Sequence, residues 1–217
     1  LYFDDLRRYR AVLRQRNAAI KEDYLSLIPL YDSQLARLGM QIQRQRVEAV
    51  KEFNTVLPAL YKAVSQSERN ITILYKPSWH DCIDEDQVTD KLSRTLERDR
   101  KLQTTASGIH RDQFIIMDNE VPFASSGSTG QLRLASLIFR IAQCSLYRNK
   151  TQKDPILLLD DVLLELDLAK RELFLEYLGH YSQAFFTFLP GEQYSSEIQS
   201  EACSTYTVCE GRFTLNA

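Results

Sequence analysis

Residues 155–161 read Pro-Ile-Leu-Leu-Leu-Asp-Asp. Four aliphatic side chains in a row between polar neighbours are typical of a strand buried on both faces of a parallel sheet. The carboxyl end of such a strand lies at the ligand-binding edge of an α/β sheet, so Asp160 and Asp161 are expected there. One carboxylate can hold Mg²⁺ through water, and the second can orient or deprotonate an attacking water. A solvated acidic turn gives the same pattern, so this stretch alone leaves both interpretations open.

A second candidate site precedes this strand. Residues 125–131 read Ser-Ser-Gly-Ser-Thr-Gly-Gln and open into a predicted helix at about 131–148. A hydroxyl and free N–H groups at a helix N-terminus suit an anion, and an ordinary N-cap with a flexible approach loop fits equally well. Arg133 and Arg140 on that helix fit either charge contacts or its solvated face.

The elements around these two sites divide the chain into a helical first half and a second half rich in strands. The spacing of apolar residues predicts helices at 2–24, 31–53 and 87–101, with a break at 26–29 and a strand at 71–75. The end of the second helix stays open, because the apolar pattern continues at 56–61 around Pro58. Further on it predicts a hairpin at 114–123, a helix at 168–180, a strand at 184–188 ending before Pro190, and a terminal hairpin at 203–216. Trp79 and Tyr75 are interpreted as core residues in preference to stacking residues.

Composition narrows the function classes. The 217 residues carry a net charge of −2, so no global positive field attracts nucleic acid or membrane. That total conceals an asymmetry, because residues 1–53 hold 10 Lys and Arg against 7 Asp and Glu, while residues 106–217 hold 9 against 14. Neither Gly-x-x-x-x-Gly-Lys nor Gly-x-Gly-x-x-Gly occurs, so these residues contain neither usual phosphate-cradling loop. No Cys-x-x-Cys pair and no apolar run of membrane-spanning length is present, and a reduced cytoplasmic protein is expected.

The order of the motifs is more specific than any one of them. A Ser-x-Gly-Gln loop, a helix, an acidic strand, Glu165-Leu-Asp167 and a strand ending at Thr187 follow one another within 60 residues. This order resembles the second half of an ABC-type ATPase head, with its signature motif, Walker B strand, D-loop and switch. The predicted fold class is therefore α/β, with a helical arm inserted into a P-loop NTPase head.

Three stretches resemble the RecF family of bacterial DNA replication and repair proteins, which is similar to SMC-like ATPases. They are residues 155–167, Ser107-Gly-Ile-His-Arg-Asp112, and Leu6-x-x-Tyr9-x-x-x-Leu13-x-Gln15-Arg16-Asn17. Ile109 replaces the family's usual proline, and Phe188 follows Thr187 where a small polar residue is usual. The resemblance implies a helical arm at 1–105 and the C-terminal half of the head at 106–217. It also implies that the phosphate loop lies upstream of Leu1.

The resemblance assigns expected roles to residues of both motifs. Ser128 and Gly130, with Gln131 of the same motif, would contact the γ-phosphate of ATP held by a partner subunit. Asp160 would bind Mg²⁺ through water, and Asp161 would be the general base. Asp167 would lie in the D-loop at the dimer seam, and Thr187 would belong to the switch.

The family's activity sets the expected function. RecF proteins form an ATP-dependent homodimeric clamp on single-stranded and gapped double-stranded DNA and help RecO and RecR load RecA. Recombinational repair, replication restart and the SOS response follow from that role. A full-length protein is expected to be a weak DNA-stimulated ATPase, and these residues alone are expected to be inactive. The alternatives are a non-catalytic DNA- or protein-binding module on an ABC-like scaffold, or another SMC-like head. The arginines of the helical half selected as DNA contacts are Arg7, Arg8, Arg14, Arg16, Arg37, Arg44 and Arg46.

Overall fold

The computed structural model describes residues 2–162, 166–188 and 203–216. The chain divides into two compact units, Leu1–Lys62 with Ser67–Ser128, and Ala63–Gln66 with Thr129–Ala217. This division falls later than the predicted boundary at 105/106. The reason is that strand β1 (Ile71–Lys76) pairs along its whole length with strand β2 (Gln113–Asp118), which joins the residues after 106 to the first unit.

The first unit is built mainly from helices. Helix α1 spans Tyr2–Lys21, and a single 3₁₀ turn at Leu25–Leu27 leads into helix α2 at Ile28–Ser65. Helix α2 is longer than the predicted 31–53, because it continues through Pro58. Its apolar face runs on to Leu57, Tyr61 and Val64, all of which are buried, and this packing offsets the hydrogen bond that proline removes.

The predicted helix at 87–101 is two helices, α3 at Glu85–Arg94 and α4 at Leu96–Leu102. Asp84 caps the N-terminus of α3, where its carboxylate accepts a hydrogen bond of 2.8 Å from the Gln87 N–H.

Trp79 lies at the centre of the core of this unit and is fully buried among side chains of α1, α2 and α3. Its indole N–H donates to the Ser107 hydroxyl at 2.9 Å. The close approach of Trp79 to α2 requires a glycine at position 39, because a Cβ there would lie 2.3 Å from Cζ3 of the indole. The interpretation of Trp79 as a core residue is confirmed.

The sheet of the first unit has three antiparallel strands in the order β1-β2-β3, with β3 at Val121–Pro122. The predicted hairpin at 114–123 is confirmed as β2 and β3, and Asn119 in its turn has a positive φ of 53°. One helical turn, α5 (Phe123–Ser126), follows the hairpin and places Phe123 edge-on against Tyr61.

The second unit contains the motifs of the predicted head. Helix α6 (Thr129–Thr151) is followed by strand β4 (Ile156–Leu159), helix α7 (Leu168–Leu178) and strand β5 (Gln183–Phe186). Strands β4 and β5 are parallel, and α6 packs against α7. The predicted terminal hairpin is confirmed as β6 (Tyr206–Cys209) and β7 (Arg212–Leu215). Glu165 and Pro190, which the sequence motifs include, lie outside the described residues.

The prediction that residues 155–159 are buried on both faces is wrong for this chain. Leu157 is buried, but Ile156 and Leu158 on the opposite face are 63% and 79% exposed, and Phe185 beside Leu158 is half exposed. The pair β4–β5 has no further strand among the described residues, so one face of this small sheet has no covering layer there. Within the described part of the chain, no helix is both long and apolar enough to cross a membrane.

Candidate nucleotide site and basic surface

The carboxyl ends of β4 and β5 bring three predicted site residues together. Leu159 and Phe186 are partners in the parallel register, so Asp160 and Thr187 leave the sheet side by side. The Thr187 hydroxyl donates to Oδ1 of Asp160 at 2.7 Å and accepts from the Asp161 backbone N–H at 2.9 Å. The Thr187 N–H donates to the Leu159 carbonyl at 3.0 Å, which continues the hydrogen bonding between β4 and β5 by one residue.

Asp161 has a left-handed backbone conformation, with φ at 51°. Asp tolerates this region better than most residues, and such conformations cluster at functional sites. Oδ1 of Asp161 lies 3.4 Å from the Thr187 hydroxyl, and both aspartates are exposed. The turn therefore presents two carboxylates to solvent at the edge that the sequence predicts.

These two carboxylates suit a Mg²⁺ ion that retains most of its coordinated water molecules. The described residues contain no group of three potential metal ligands, so protein oxygens alone do not form a closed cage there. Magnesium in nucleotide sites is held by one or two carboxylates together with water and phosphate oxygens. Asp160 and Asp161 match that donor set.

The Ser-x-Gly-Gln motif lies at the start of a long helix. Helix α6 begins at Thr129, two residues earlier than predicted, so Gly130 and Gln131 form its first turn and Ser128 directly precedes it. A Cβ at Gly130 would meet no atom within 4 Å. Nothing in the described chain therefore fills the space beside Gly130, which leaves room for a group from outside.

Asp167 caps the N-terminus of α7. Its carboxylate accepts from the Lys170 N–H at 2.9 Å and from the Lys170 ammonium at 2.5 Å. These bonds hold the pKa of Asp167 below its usual value. The cap explains an acidic residue here without a partner subunit, and the D-loop role remains a prediction.

Five of the seven arginines predicted to contact DNA are exposed: Arg7, Arg8, Arg14, Arg37 and Arg44. Arg16 and Arg46 are corrections to that set, because both are engaged inside the helical unit. A DNA phosphate cannot reach either side chain without disrupting these contacts.

Arg16 is fully buried between two carboxylates. Its Nε donates to Asp32 at 2.5 Å, and its Nη1 donates to Asp99 at 2.7 Å and to the Thr105 hydroxyl at 2.8 Å. Burial raises the pKa of Asp32, an effect that Arg16 opposes. The sequence carries a signal for this role, because residue 16 is one helical turn from both Val12 and Ile20 on the apolar face of α1.

Arg46 is held by residues 107–112, which end at Asp112, and its side chain is largely buried. Its Nη1 donates to Asp112 at 2.6 Å and to the Ile109 carbonyl at 2.7 Å. Asp112 also accepts from the Tyr75 hydroxyl at 2.5 Å and from the Ser78 N–H at 2.8 Å. Position 46 follows buried Ile42 by one helical turn, which is the signal for an inward-facing side chain.

His110 of the same motif is hydrogen-bonded at both ring nitrogens. Nε2 lies 3.0 Å from the Thr105 carbonyl, and Nδ1 lies 3.2 Å from the Tyr9 hydroxyl. A carbonyl only accepts, so Nε2 carries the proton and Nδ1 accepts from Tyr9. Desolvation lowers the pKa of His110, which favours this neutral tautomer.

Comparison with known proteins gives sequence relatives over most of the chain. No family model matches. The DNA replication and repair protein RecF of Treponema pallidum is 37% identical over 97% of this chain and 59% of its own length. RecF of Leptospira interrogans is 32% identical over 86% of this chain and 51% of its own length. This chain thus spans between half and three fifths of these relatives.

Two solved structures of the recombination mediator protein RecF of the RecFOR pathway share the fold. The structure described with ATPrS has a TM-score of 0.83 and 24% identity, and covers 100% of this chain and 59% of its own. The structure described with ATP has a TM-score of 0.81 at the same identity and covers 99% of this chain. The predicted α/β fold is therefore confirmed, and it is shared with the two RecF structures. The sequence relatives confirm the resemblance to RecF that the motifs predict.

Proposed function

We propose that this chain, which is related to RecF along almost its whole length, forms part of an ATP-dependent DNA clamp of recombinational repair and replication restart. In this proposal it acts with RecO and RecR to load RecA, in the cytoplasm, on single-stranded and gapped DNA. The observation that carries the proposal is the strand-end cluster of Asp160, Asp161 and Thr187.

The nucleotide chemistry follows from charge and position. ATP with Mg²⁺ would supply the phosphoryl group to be transferred and the cation that neutralises its charge. Asp160 would hold the hydrated ion, and Asp161 would orient the attacking water and accept its proton. Thr187 ties the two residues together, because its hydroxyl donates to the Asp160 carboxylate and accepts from the Asp161 backbone N–H.

The signature motif would act on a nucleotide held by a second copy. Ser128 and the first turn of α6 at Gly130 and Gln131 present a hydroxyl and N–H groups of the kind that bind a γ-phosphate. Asp167 would lie near the seam of that homodimer. Because ATP would lie between two subunits, dimer formation would depend on ATP by mass action.

The proposal requires a phosphate-binding loop outside these 217 residues, since none occurs within them. A Gly-x-x-x-x-Gly-Lys-Ser/Thr sequence elsewhere in the encoded protein would supply it. Absence of such a sequence would favour the non-catalytic module.

Asp161→Asn in the full-length protein tests the assignment of the base. We expect ATP turnover to fall by more than tenfold and the ATP-bound dimer to persist longer, because the substitution keeps the shape and removes the proton acceptor. Turnover is measured by phosphate release and dimer lifetime by light scattering. Asp154→Asn is the matched control, since Asp154 is a surface carboxylate before β4 that pairs with Arg148. Unchanged turnover and dimer lifetime in Asp161→Asn would remove Asp161 from the mechanism.

Ser128→Arg tests whether the signature motif acts in trans. We expect loss of ATP-dependent dimerisation with unchanged ATP binding to the monomer, because a bulky cation would block only the partner's nucleotide. Ser125→Arg, three residues earlier on the exposed surface, is the control. Loss of monomer ATP binding would instead place Ser128 in its own subunit's site.

A further inference from the structure

A groove of about 530 Å³ follows the solvent side of α1. Its lining residues are Phe3, Leu6, Arg7, Arg10, Leu13 and Arg14. At 100° per residue, Phe3 and the three arginines fall within one narrow sector of the helix, opposite buried Val12 and Arg16. The groove is about 16 Å long from Phe3 to Arg14, at ~1.5 Å rise per residue.

The arginines of this groove are available to an anion. Among the described residues, Arg10 and Arg14 have no ion-pair or hydrogen-bond partner. Arg7 makes a long contact of 3.7 Å to Asp4, and both side chains are well exposed. An exposed pair of this kind contributes little and exchanges readily for a phosphate. Arg10 is absent from the arginines predicted to contact DNA, although it occupies the middle of this row.

A smaller pocket of about 280 Å³ adjoins the groove and shares Leu6 and Arg10 with it. Its other walls are internally bonded, since Tyr9 pairs with His110 and Arg46 pairs with Asp112. The polar groups of the walls are thereby fixed in place.

Phe114 forms an aromatic edge of this pocket. The residue is 53% exposed, and its ring stacks on Tyr75 with centroids 4.9 Å apart and planes 22° apart. Arg46 lies 5.8 Å from the same ring, and Asp112 fixes both Tyr75 and Arg46. Phe114 is therefore held in place by fixed neighbours, and about half of the residue remains accessible. Phe3, 78% exposed, supplies a second aromatic ring in the groove.

We propose that this groove binds single-stranded DNA, with phosphates along Arg7, Arg10 and Arg14 and one unstacked base in the pocket beside Phe114. This inference rests on the proposed DNA-clamp function and adds a strand-specific site to it. Single-strand sites combine a positive groove with aromatic rings on which bases stack. A duplex keeps its bases paired and offers mainly phosphates to such a surface. The apolar residues Leu6 and Leu13 and the aromatic rings of the groove favour single-stranded DNA, because its bases are exposed as well as its phosphates.

Binding of labelled oligo(dT), and of a duplex of equal length, to the full-length protein tests this site by fluorescence anisotropy over a range of salt concentrations. Phe114→Leu keeps an apolar side chain and removes the stacking face. We expect oligo(dT) affinity to fall about tenfold with an unchanged salt slope, and duplex affinity to stay the same. Phe114→Tyr, which keeps an aromatic face, should bind like the parent.

Arg10→Ala tests the phosphate row. We expect weaker oligo(dT) binding and a salt slope smaller by about 0.7, the value for one lost phosphate contact on a single strand. Arg98→Ala is the matched control, because Arg98 is an exposed arginine on α4 outside the groove. Cross-linking of 5-iodouracil-substituted oligonucleotide to the parent protein, mapped by mass spectrometry, should label Phe114 or Phe3.

Three results would overturn the single-strand site while leaving the clamp intact: equal losses for oligo(dT) and duplex in Phe114→Leu, no loss in either variant, or cross-links confined to other surfaces. Binding of an acidic peptide in place of oligo(dT), with the same dependence on Arg10, would assign the groove to a protein partner. Failure of the parent protein to bind any form of DNA would instead refute the proposed function itself.

Discussion

Arg16→Met removes the guanidinium between Asp32 and Asp99 and leaves an unbranched side chain in its place. Both carboxylates are buried, and the variant retains them without a cation. Asp99 keeps a hydrogen bond of 2.9 Å from the Ala106 N–H, which compensates only a small part of the loss.

The expected cost is about 3–5 kcal/mol of unfolding free energy, the range for removing one partner of a buried ion pair. Most of this cost is the penalty of an uncompensated buried charge. Arg16→Met/Asp32→Asn/Asp99→Asn removes all three charges and should recover at least half of the lost stability. The cost is large beside the ~5–15 kcal/mol that holds a typical domain folded.

Urea unfolding followed by the fluorescence of Trp79 measures this quantity, because the single tryptophan lies in the same unit as Arg16. Arg14→Met on the exposed face of the same helix is the control and should change stability by less than about 0.5 kcal/mol. The deficit of Arg16→Met should shrink as pH falls from 7 towards 4. Burial raises the folded-state pKa of Asp32 even beside Arg16, so protonation at low pH relieves the unpaired charge.

A loss below about 1 kcal/mol, or a deficit that does not depend on pH, would refute this account. Either result would mean that the two carboxylates are solvated or already protonated when Arg16 is removed. The triple variant separates these cases from loss of packing, because it keeps the methionine and changes only charge.

Three further outcomes are expected. Gly39→Ala should lower the unfolding free energy by about 1–3 kcal/mol and alter the near-ultraviolet circular dichroism of Trp79, because the added Cβ meets the indole. Gly130→Ala should not destabilise the fold, since a Cβ there meets no atom within 4 Å. His110→Gln should reduce the loss of folding stability that acidification below pH ~6.5 causes in the parent. The folded-state pKa of His110 is depressed, so its contribution to stability is present above the unfolded-state pKa and is lost as pH falls. Equal pH profiles of the two proteins in urea unfolding would contradict the neutral tautomer. Thr187→Val should cost about 0.5–1.5 kcal/mol and lower ATP turnover of the full-length protein, while Thr187→Ser, which keeps the hydroxyl, should behave like the parent. Equal effects of Val and Ser would show that the hydroxyl does not organise the strand-end carboxylates.

Local patterns predicted the elements well where sequence neighbours decide them. The hairpin of β2 and β3 and the terminal hairpin needed only alternation and turn residues. The sequence left the C-terminal boundary of α2 open, because the apolar pattern continues around Pro58 while proline removes a helical hydrogen bond. The packing of Tyr61 and Val64 decides in favour of one continuous helix. The two-sided burial of β4 was wrong, because burial depends on which layers cover a sheet.

The candidate sites divide in the same way. The acidic end of a predicted strand was enough to select Asp160 and Asp161, and the family resemblance added Thr187. The parallel register of β4 and β5 places the residues after both strands together. Helical spacing places Arg16 and Arg46 near the apolar face, but it does not show that they are buried, because burial removes the hydration of a charge. The tertiary structure supplies the carboxylates, distant in sequence, that compensate this cost. Likewise, the groove of α1 meets Phe114 only because the strand that carries this residue returns to α1 after a separation of about a hundred residues. The sequence determines which groups are present and on which element, and long-range packing decides which of them remain accessible.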